Sequence, residues 1–244
     1  APSPGELLAT ERLDLDGCGV RLHHRRATAA APTVLCLHGY PDTLQVFSRL
    51  ARALPPELGV VCPDFPGQGR SAPNGAPDPE GRARWLGRLL RRLEVERVRV
   101  VAQDMGVLAA VELALVEPAV EALVLSHALL DGRAETSFTI AALRRARAYR
   151  LLLPAFPGIV AARCVKTLVT PDAPLSPDVR RDVITCFDRA VAAVTVEVCD
   201  AAEAWLARGL GQLAAIRCPV TLLWGTGEAH FARAHAEAFA RVVP

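Results

Sequence analysis

The stretch Val101-Ala102-Gln103-Asp104-Met105-Gly106-Val107 decides the fold. The apolar run from Val98 to Ala102 predicts a buried strand, and a helical pattern from Met105 to Val116 follows it at once. Asp104 stands at the turn between them, with the small residues Ala102 and Gly106 two positions to either side. A strand-to-helix turn this sharp leaves no room for side chains two residues before and after its apex. It holds the apex residue in strained backbone geometry and projects its side chain into a cleft. The same residues admit a plainer reading, because Asp is favoured as a helix N-cap and a helix follows.

Three further segments bear on that choice. In Val34-Leu35-Cys36-Leu37-His38-Gly39-Tyr40-Pro41-Asp42 a strand ends at His38-Gly39, and a turn leads to a helix near Thr43. In Cys62-Pro63-Asp64-Phe65-Pro66-Gly67-Gln68-Gly69-Arg70-Ser71 a strand end runs into a glycine-rich loop. In this order the segments resemble the α/β-hydrolase fold family: its His-Gly-x-Pro oxyanion loop, its Asp-x-x-Gly-x-Gly-x-Ser loop and its nucleophile elbow. Leu222-Leu223-Trp224-Gly225-Thr226-Gly227-Glu228 looks like the late strand whose end bears the acid of the family's triad, and Glu228 falls at the acid's place. The resemblance spans residues 34 to 228. With Asp at the elbow, it points to the branch that holds epoxide hydrolases and haloalkane dehalogenases.

Composition agrees with a soluble, enzyme-sized chain. At 244 residues it is long enough for one large α/β core with an inserted subdomain. Apolar residues make up 51%, yet no apolar run reaches the roughly 20 residues that span a membrane. The opening Ala1-Pro2-Ser3-Pro4-Gly5 lacks the basic-then-apolar layout of a signal peptide, so a cytoplasmic protein is expected. The net charge of +2, with both signs dispersed, gives no footprint for nucleic acid. The seven cysteines form no Cys-x-x-Cys pair, and neither they nor the histidines show zinc-ligand spacings; reduced core thiols are expected. No cofactor or metal is implied, and the expected partner is a small-molecule substrate.

The chain reads in three parts. Residues 1–130 alternate strands (near 11–16, 19–25, 33–38, 58–62, 98–102 and 121–126) with helices (near 43–54, 79–92 and 105–116). Asp16-Gly17 marks a hairpin between the first two strands, and the later alternation predicts a parallel sheet with helices on both faces. Residues 131–208 break the pattern with helical runs at 136–152, 158–167, 177–190 and 191–207; in the family this place holds a helical cap over the active site. Residues 209–244 return to the sheet with one helix, a strand at 219–224 and a last helix at 230–241. The family's final strand finds no match before Pro244.

What the resemblance implies chemically follows from the aspartate. A carboxylate opens an epoxide or displaces a halide to give an alkyl ester on Asp104. Backbone N–H groups near Tyr40 and Met105, in the loop of His38 and Gly39, would stabilise the oxyanion formed when water attacks that ester. The water needs a base, in the family a histidine oriented by an acid; Glu228 is placed as that acid. The histidine's usual place, beyond the final strand, has no counterpart among His23, His24, His38, His127, His230 and His235. Either the protein continues past this sequence, or His127 or His230 stands in, or the site does not turn over as a standard hydrolase. His127 follows the sixth strand and is expected near the cleft mouth.

Three functions stay open. An epoxide-hydrolase-like enzyme fits His38-Gly39-Tyr40-Pro41, with Tyr149, the single cap tyrosine, as proton donor to the epoxide oxygen and Trp205 lining the pocket. Tyr149 reads equally as an amphipathic helix residue, and Trp205 as hinge packing. A haloalkane or haloacid dehalogenase would share the mechanism, though such enzymes carry Trp directly after the nucleophile where this chain has Met105. A catalytically altered member, acting as a cyclase, an isomerase or a binding protein, would account for the missing histidine. The Gly67-Gln68-Gly69 run lacks the context of a dinucleotide site and reads as a tight turn.

Overall fold

The Asp16-Gly17 signal closes a hairpin because both residues take positive φ, 56° and 81°, as a two-residue turn of this type requires. It joins β1 (Glu11–Leu15) to β2 (Cys18–Arg25) in antiparallel register. The computed structural model describes residues 7–28, 31–167, 174–228 and 230–243. Beyond the hairpin come β3 (Thr33–Leu37), β4 (Gly59–Pro63), β5 (Val98–Gln103), β6 (Val120–Ser126) and β7 (Val220–Leu223). The seven strands form one sheet in the order β1-β2-β4-β3-β5-β6-β7. β2 pairs antiparallel with β4, and β4, β3, β5, β6 and β7 run parallel.

Thr33–Leu37 and Gly59–Pro63 are buried at every position, as near-continuous apolar strands covered on both faces must be. Their alternation divides the core. Leu35 and Leu37 face a cluster with Trp85, Leu86 and Leu89 of α2 (Pro79–Arg92) and Val107 and Val111 of α3 (Gly106–Val116). Val34 and Cys36 face a second cluster with Leu44 and Phe47 of a 3₁₀ turn and Ala51 of α1 (Ser48–Ala53). Asp78 caps α2 by accepting from Gly81 N at 2.7 Å, with Pro79 in the first turn where its missing N–H is not needed. The predicted elements of residues 11–126 are all present, with ends moved by a residue or two.

The described residues between 138 and 206 fold mainly as helices, as expected: α4 (Phe138–Arg145), α5 (Arg147–Ala155), α6 (Pro157–Thr167), α7 (Pro177–Cys186) and α8 (Arg189–Leu206). The single helix predicted over 136–152 is in fact two. Ala146, at ψ 102°, ends α4 and starts α5, and the corner lets both helices pack on α8. No single described helix is long and apolar enough to cross a membrane; α5 and α6 would reach that length only as a pair, bent by 104°. The chain then passes a 3₁₀ turn and β7 to α9 (Arg233–Ala240), whose Phe239 is buried in the main core. No two cysteines are joined among the described residues.

One buried ionic knot fastens this helical layer to the sheet. Arg21 of β2 reaches Asp64, after β4, at 3.2 Å and Asp182 of α7 at 3.0 Å, and Thr43 Oγ1 donates to Asp182 at 2.6 Å. Asp64 also accepts from Leu44 N at 2.8 Å and Arg70 N at 2.9 Å. A Cβ on Gly69 (φ 55°) would lie 2.2 Å from that carboxyl, so the glycine-rich loop is wound tightly around its own aspartate. The loop's N–H groups are taken within the protein, Arg70 N by Asp64 and those of Gly67, Gln68 and Ser71 by the carbonyls of Ala72, Phe65 and Gln68.

Candidate active site

Parallel strands end on one edge of the sheet, and in such folds the site lies there. β3, β5 and β6 end at Leu37, Gln103 and Ser126, and β7 ends on the same edge at Leu223. Asp104 follows β5 with φ 49°, left-handed geometry that a non-glycine residue rarely takes. It does not cap α3: the position before the helix is Met105, with no side-chain cap bond. Instead the Asp104 carboxylate accepts Tyr40 N on Oδ2 at 2.7 Å and is also bonded by the Met105 N–H. The small neighbours are sterically required. A Cβ on Gly39 would lie 2.4 Å from Asp104 Cβ, and one on Gly106 would lie 2.6 Å from the Leu37 carbonyl oxygen.

Burial raises the Asp104 carboxyl from 3.8 to about 6. The N–H bonds of Tyr40 and Met105 and the charge of His230 oppose that rise, and the Glu228 carboxylate adds to it. Asp104 and Glu228 therefore belong to one electrostatic neighbourhood. A second carboxyl shares it: Asp42 is raised to about 7 by burial and then by the charge of Asp104, against the bond it accepts from Gln103 Nε2 at 2.6 Å. Near pH 6.5 the pair favours one ionised and one protonated member. Sequence reading quoted Asp42 in its motif without giving it a role; the spacing of His38-Gly39-Tyr40-Pro41-Asp42 gives no hint that Gln103, 61 residues away, meets it.

Above Asp104 opens a small pocket of about 60 Å³. Tyr40 and Met105 form its floor with Asp104, Leu108 and Leu129 its core side, and Phe231 one flank. α4 contributes Ile140, Leu143 and Arg144, and α8 contributes Cys199, Ala202, Glu203 and Leu206.

The other expected residues are placed as follows. His38 is buried, with Nδ1 2.9 Å from the Gly39 carbonyl oxygen and Nε2 accepting Phe65 N at 3.2 Å. It ties the oxyanion loop to the loop after β4, and burial lowers its pKa. Glu228 accepts His230 N at 2.7 Å and Phe231 N at 3.3 Å on Oε1, so it shapes a turn, while its Oε2 lies 3.4 Å from His127 Nε2. His127 (φ 48°) accepts Gly225 N on Nε2 at 3.0 Å and lies 5.6 Å from the Trp224 ring, which ties β6 to β7. His230 differs. Its Nδ1 is 2.8 Å from Ser137 Oγ, and its Nε2 is buried with no partner among the described residues.

Two expectations are corrected. Trp205 does not line the cavity; it is buried and donates to Glu112 Oε1 of α3 at 2.6 Å, the hinge-packing role. Tyr149 also lies off the cavity wall. It packs with Tyr40, Leu143 and Leu153 in the cluster within the helical layer, and burial raises its pKa. The Tyr40 hydroxyl is turned away as well, 3.8 Å from Cys164 Sγ.

Comparison with known proteins agrees with this geometry. A model of the alpha/beta hydrolase fold matches residues 32–165. A fluoroacetate dehalogenase of Burkholderia is 38% identical over 108 residues, 42% of this chain and 34% of that protein. A haloalkane dehalogenase of Mesorhizobium japonicum is 35% identical over 96 residues, 38% of this chain and 30% of that protein. These matches thus cover about a third of the relatives' own lengths. Among solved structures, an epoxide-hydrolase candidate from Pseudomonas aeruginosa superposes with TM-score 0.80 at 23% identity, covering 98% of this chain and 87% of that one. A haloalkane dehalogenase from Bradyrhizobium elkani superposes with TM-score 0.81 at 20% identity, covering 96% and 86%. With more than half of its length matched by the family model, on a sheet and elbow of this form, the chain belongs to the α/β-hydrolase fold family.

Proposed function

We propose that this chain is an epoxide-hydrolase-like enzyme that opens a small epoxide through an ester on Asp104. One observation carries the reading: Asp104 sits at the strained apex with its carboxylate under the N–H groups of Tyr40 and Met105, on the wall of a largely apolar pocket. In the first step a carboxylate oxygen attacks a ring carbon. The ring C–O bond breaks and the alkoxide takes a proton from solvent. In the second step water attacks the ester carbonyl, and the two N–H groups hold the oxyanion. The ester bond then breaks, releasing a diol and restoring the carboxylate.

We assign the base for the second step to His230. His38 and His127 have ring nitrogens committed to backbone N–H groups, and His23 and His24 pair at the N-terminal hairpin with Ala9 O and Glu11. Of the remaining two, His235 has a buried Nδ1 unpartnered among the described residues but lies in the field of Asp131 and Glu135, whereas His230 acts on Asp104 and has Nδ1 held by Ser137 and Nε2 buried and unpartnered. Ser137 holds the orientation of the ring here, in the place a carboxylate takes in other triads. Residues 131–208 act as the cap between core segments 1–130 and 209–244.

Incubation with 1,2-epoxyhexane followed by intact-mass measurement and product analysis tests this. The wild type is expected to release diol, Asp104→Asn to release none, and His230→Gln to retain an adduct mapping to Asp104. Full diol release by Asp104→Asn would refute the nucleophile; a persistent adduct on the wild type would refute His230 as the base. The names of the dehalogenase relatives support a second reading, halide displacement through the same ester, which halide release from 1-bromobutane would reveal. Against it, no tryptophan is among the described residues that line the pocket, and the indole N–H groups of Trp205 and Trp224 are spent on Glu112 and the Phe231 carbonyl.

A further inference from the structure

The cavity's charged groups define what it admits. Its lining carries three: Asp104, Arg144 and Glu203. Arg144 is the only cation among the lining residues, and it is paired with a carboxylate. Its Nε donates to Glu203 Oε1 at 2.5 Å, and its Nη2 donates to Glu203 Oε2 at 2.9 Å and to the Gly132 carbonyl at 3.1 Å. This is the planar fork-to-carboxylate match that makes such pairs strong and directional. The Arg144 side chain is 7% exposed and that of Glu203 38%, so the guanidinium is enclosed while the carboxylate faces the opening. The bond to Glu203 raises the Arg144 pKa further, so the guanidinium stays charged. Around this pair Met105, Leu108, Leu129, Ile140, Leu143 and Leu206 present only apolar surface. A substrate bearing a carboxylate would leave water, meet the negative charge of Asp104, and find no uncommitted cation.

We propose that Glu203 is a specificity-determining residue: by masking Arg144 it closes the Asp104 cavity to anionic substrates and reserves it for neutral, largely apolar ones. This rests on the reading of the cavity as the substrate site. It separates the chain from what the name of its fluoroacetate-dehalogenase relative describes, since fluoroacetate is an anion. The masked arginine also predicts a latent activity. Removing the Glu203 charge while keeping its shape would release a guanidinium at the cavity wall, ready for a carboxylate.

Two matched pairs test this. Butyramide and butyrate, which have no reactive carbon, are titrated by ligand-observed NMR; glycidamide and glycidate are then compared for adducts or turnover at Asp104. The wild type is expected to bind butyramide at least about tenfold more tightly than butyrate. Glu203→Gln is expected to improve butyrate binding by about tenfold or more with butyramide little changed. Arg144→Met/Glu203→Leu, which removes both charges, is expected to return to excluding butyrate and guards against a folding defect in the single variant. Wild-type binding of butyrate within about threefold of butyramide would overturn the proposal. So would an unchanged butyrate affinity in folded Glu203→Gln, or no binding of either compound to any form. If the NMR preference holds while glycidamide leaves Asp104 untouched, charge selection stands and the nucleophile reading falls.

Discussion

Asp104→Asn should make the protein more stable at the same stroke that disables it, and the gain should depend on pH in a defined way. In the unfolded chain the carboxyl ionises near its ordinary 3.8; in the folded chain, chiefly through burial, it does so at about 6. Below 3.8 both states hold the proton and the group is neutral for folding. Between the two values the folded state retains a proton that the unfolded state has lost, so stability falls as pH rises through this window. Above 6 the folded state carries the full burden, which for this difference is about 3 kcal/mol. An asparagine has no charge to bury and still offers an oxygen to Tyr40 N. Part of the gain will be lost where its amide N–H₂ finds no acceptor, leaving roughly 2–3 kcal/mol at pH 8. For a chain of this size that is about 4–12 °C in Tm. Asp42 adds to the effect, because the Asp104 charge is the second cause of its own rise. Urea denaturation of wild type and variant at pH 8 and pH 4 measures the difference, with the remaining carboxylates cancelling between the two proteins. Equal or lower stability of the variant at pH 8, or a gain of the same size at both pH values, would refute the electrostatic account of the elbow.

Three other outcomes follow from geometry. Gly106→Val places side-chain atoms against the Leu37 and His38 carbonyl oxygens and should cost about 3 kcal/mol or more in urea denaturation, whereas Gly158→Ala, with open space around it, should change stability by less than about 1 kcal/mol. Arg21→Met strands Asp64 and Asp182 as buried charges and should cost about 3–5 kcal/mol, with earlier proteolytic cleavage in residues 138–206 than in the wild type. Trp205→Phe keeps the packing but leaves Glu112 with only Arg208 at 3.6 Å, and should cost about 2 kcal/mol in the same assay.

The core of this protein is written locally, and so it is legible. Thr33–Leu37 and Gly59–Pro63 read as buried parallel strands because every position is apolar or small, and Asp104 reads as an apex because Ala102 and Gly106 flank it. What escapes the sequence depends on residues far apart in the chain. Trp205 looks the same in sequence whether it faces a pocket or donates to Glu112, 93 residues away. Tyr149 is amphipathic by spacing, and only the corner at Ala146 turns it into the cluster around Tyr40. Arg144 lies in an arginine-rich run that reads as a solvated helix face, yet its partner is Glu203, 59 residues on. Asp42, Ser137 and the Arg144–Glu203 pair become part of the site only through such contacts.

The entry to the helical layer is laced to the loop that follows β7. Thr136 and Phe231 form an isolated antiparallel bridge, Ser137 N donates to the His230 carbonyl at 3.1 Å, and the Ser137 hydroxyl meets the His230 ring at 2.8 Å. Glu228 in turn gathers the N–H groups of His230 and Phe231. The start of the helical layer and the turn around Glu228 are thus one mechanical part. Any displacement of α4 away from Phe231 therefore has to strain or break this lacing, so the first turn of the helical layer and the His230 turn are held to one stability rather than two.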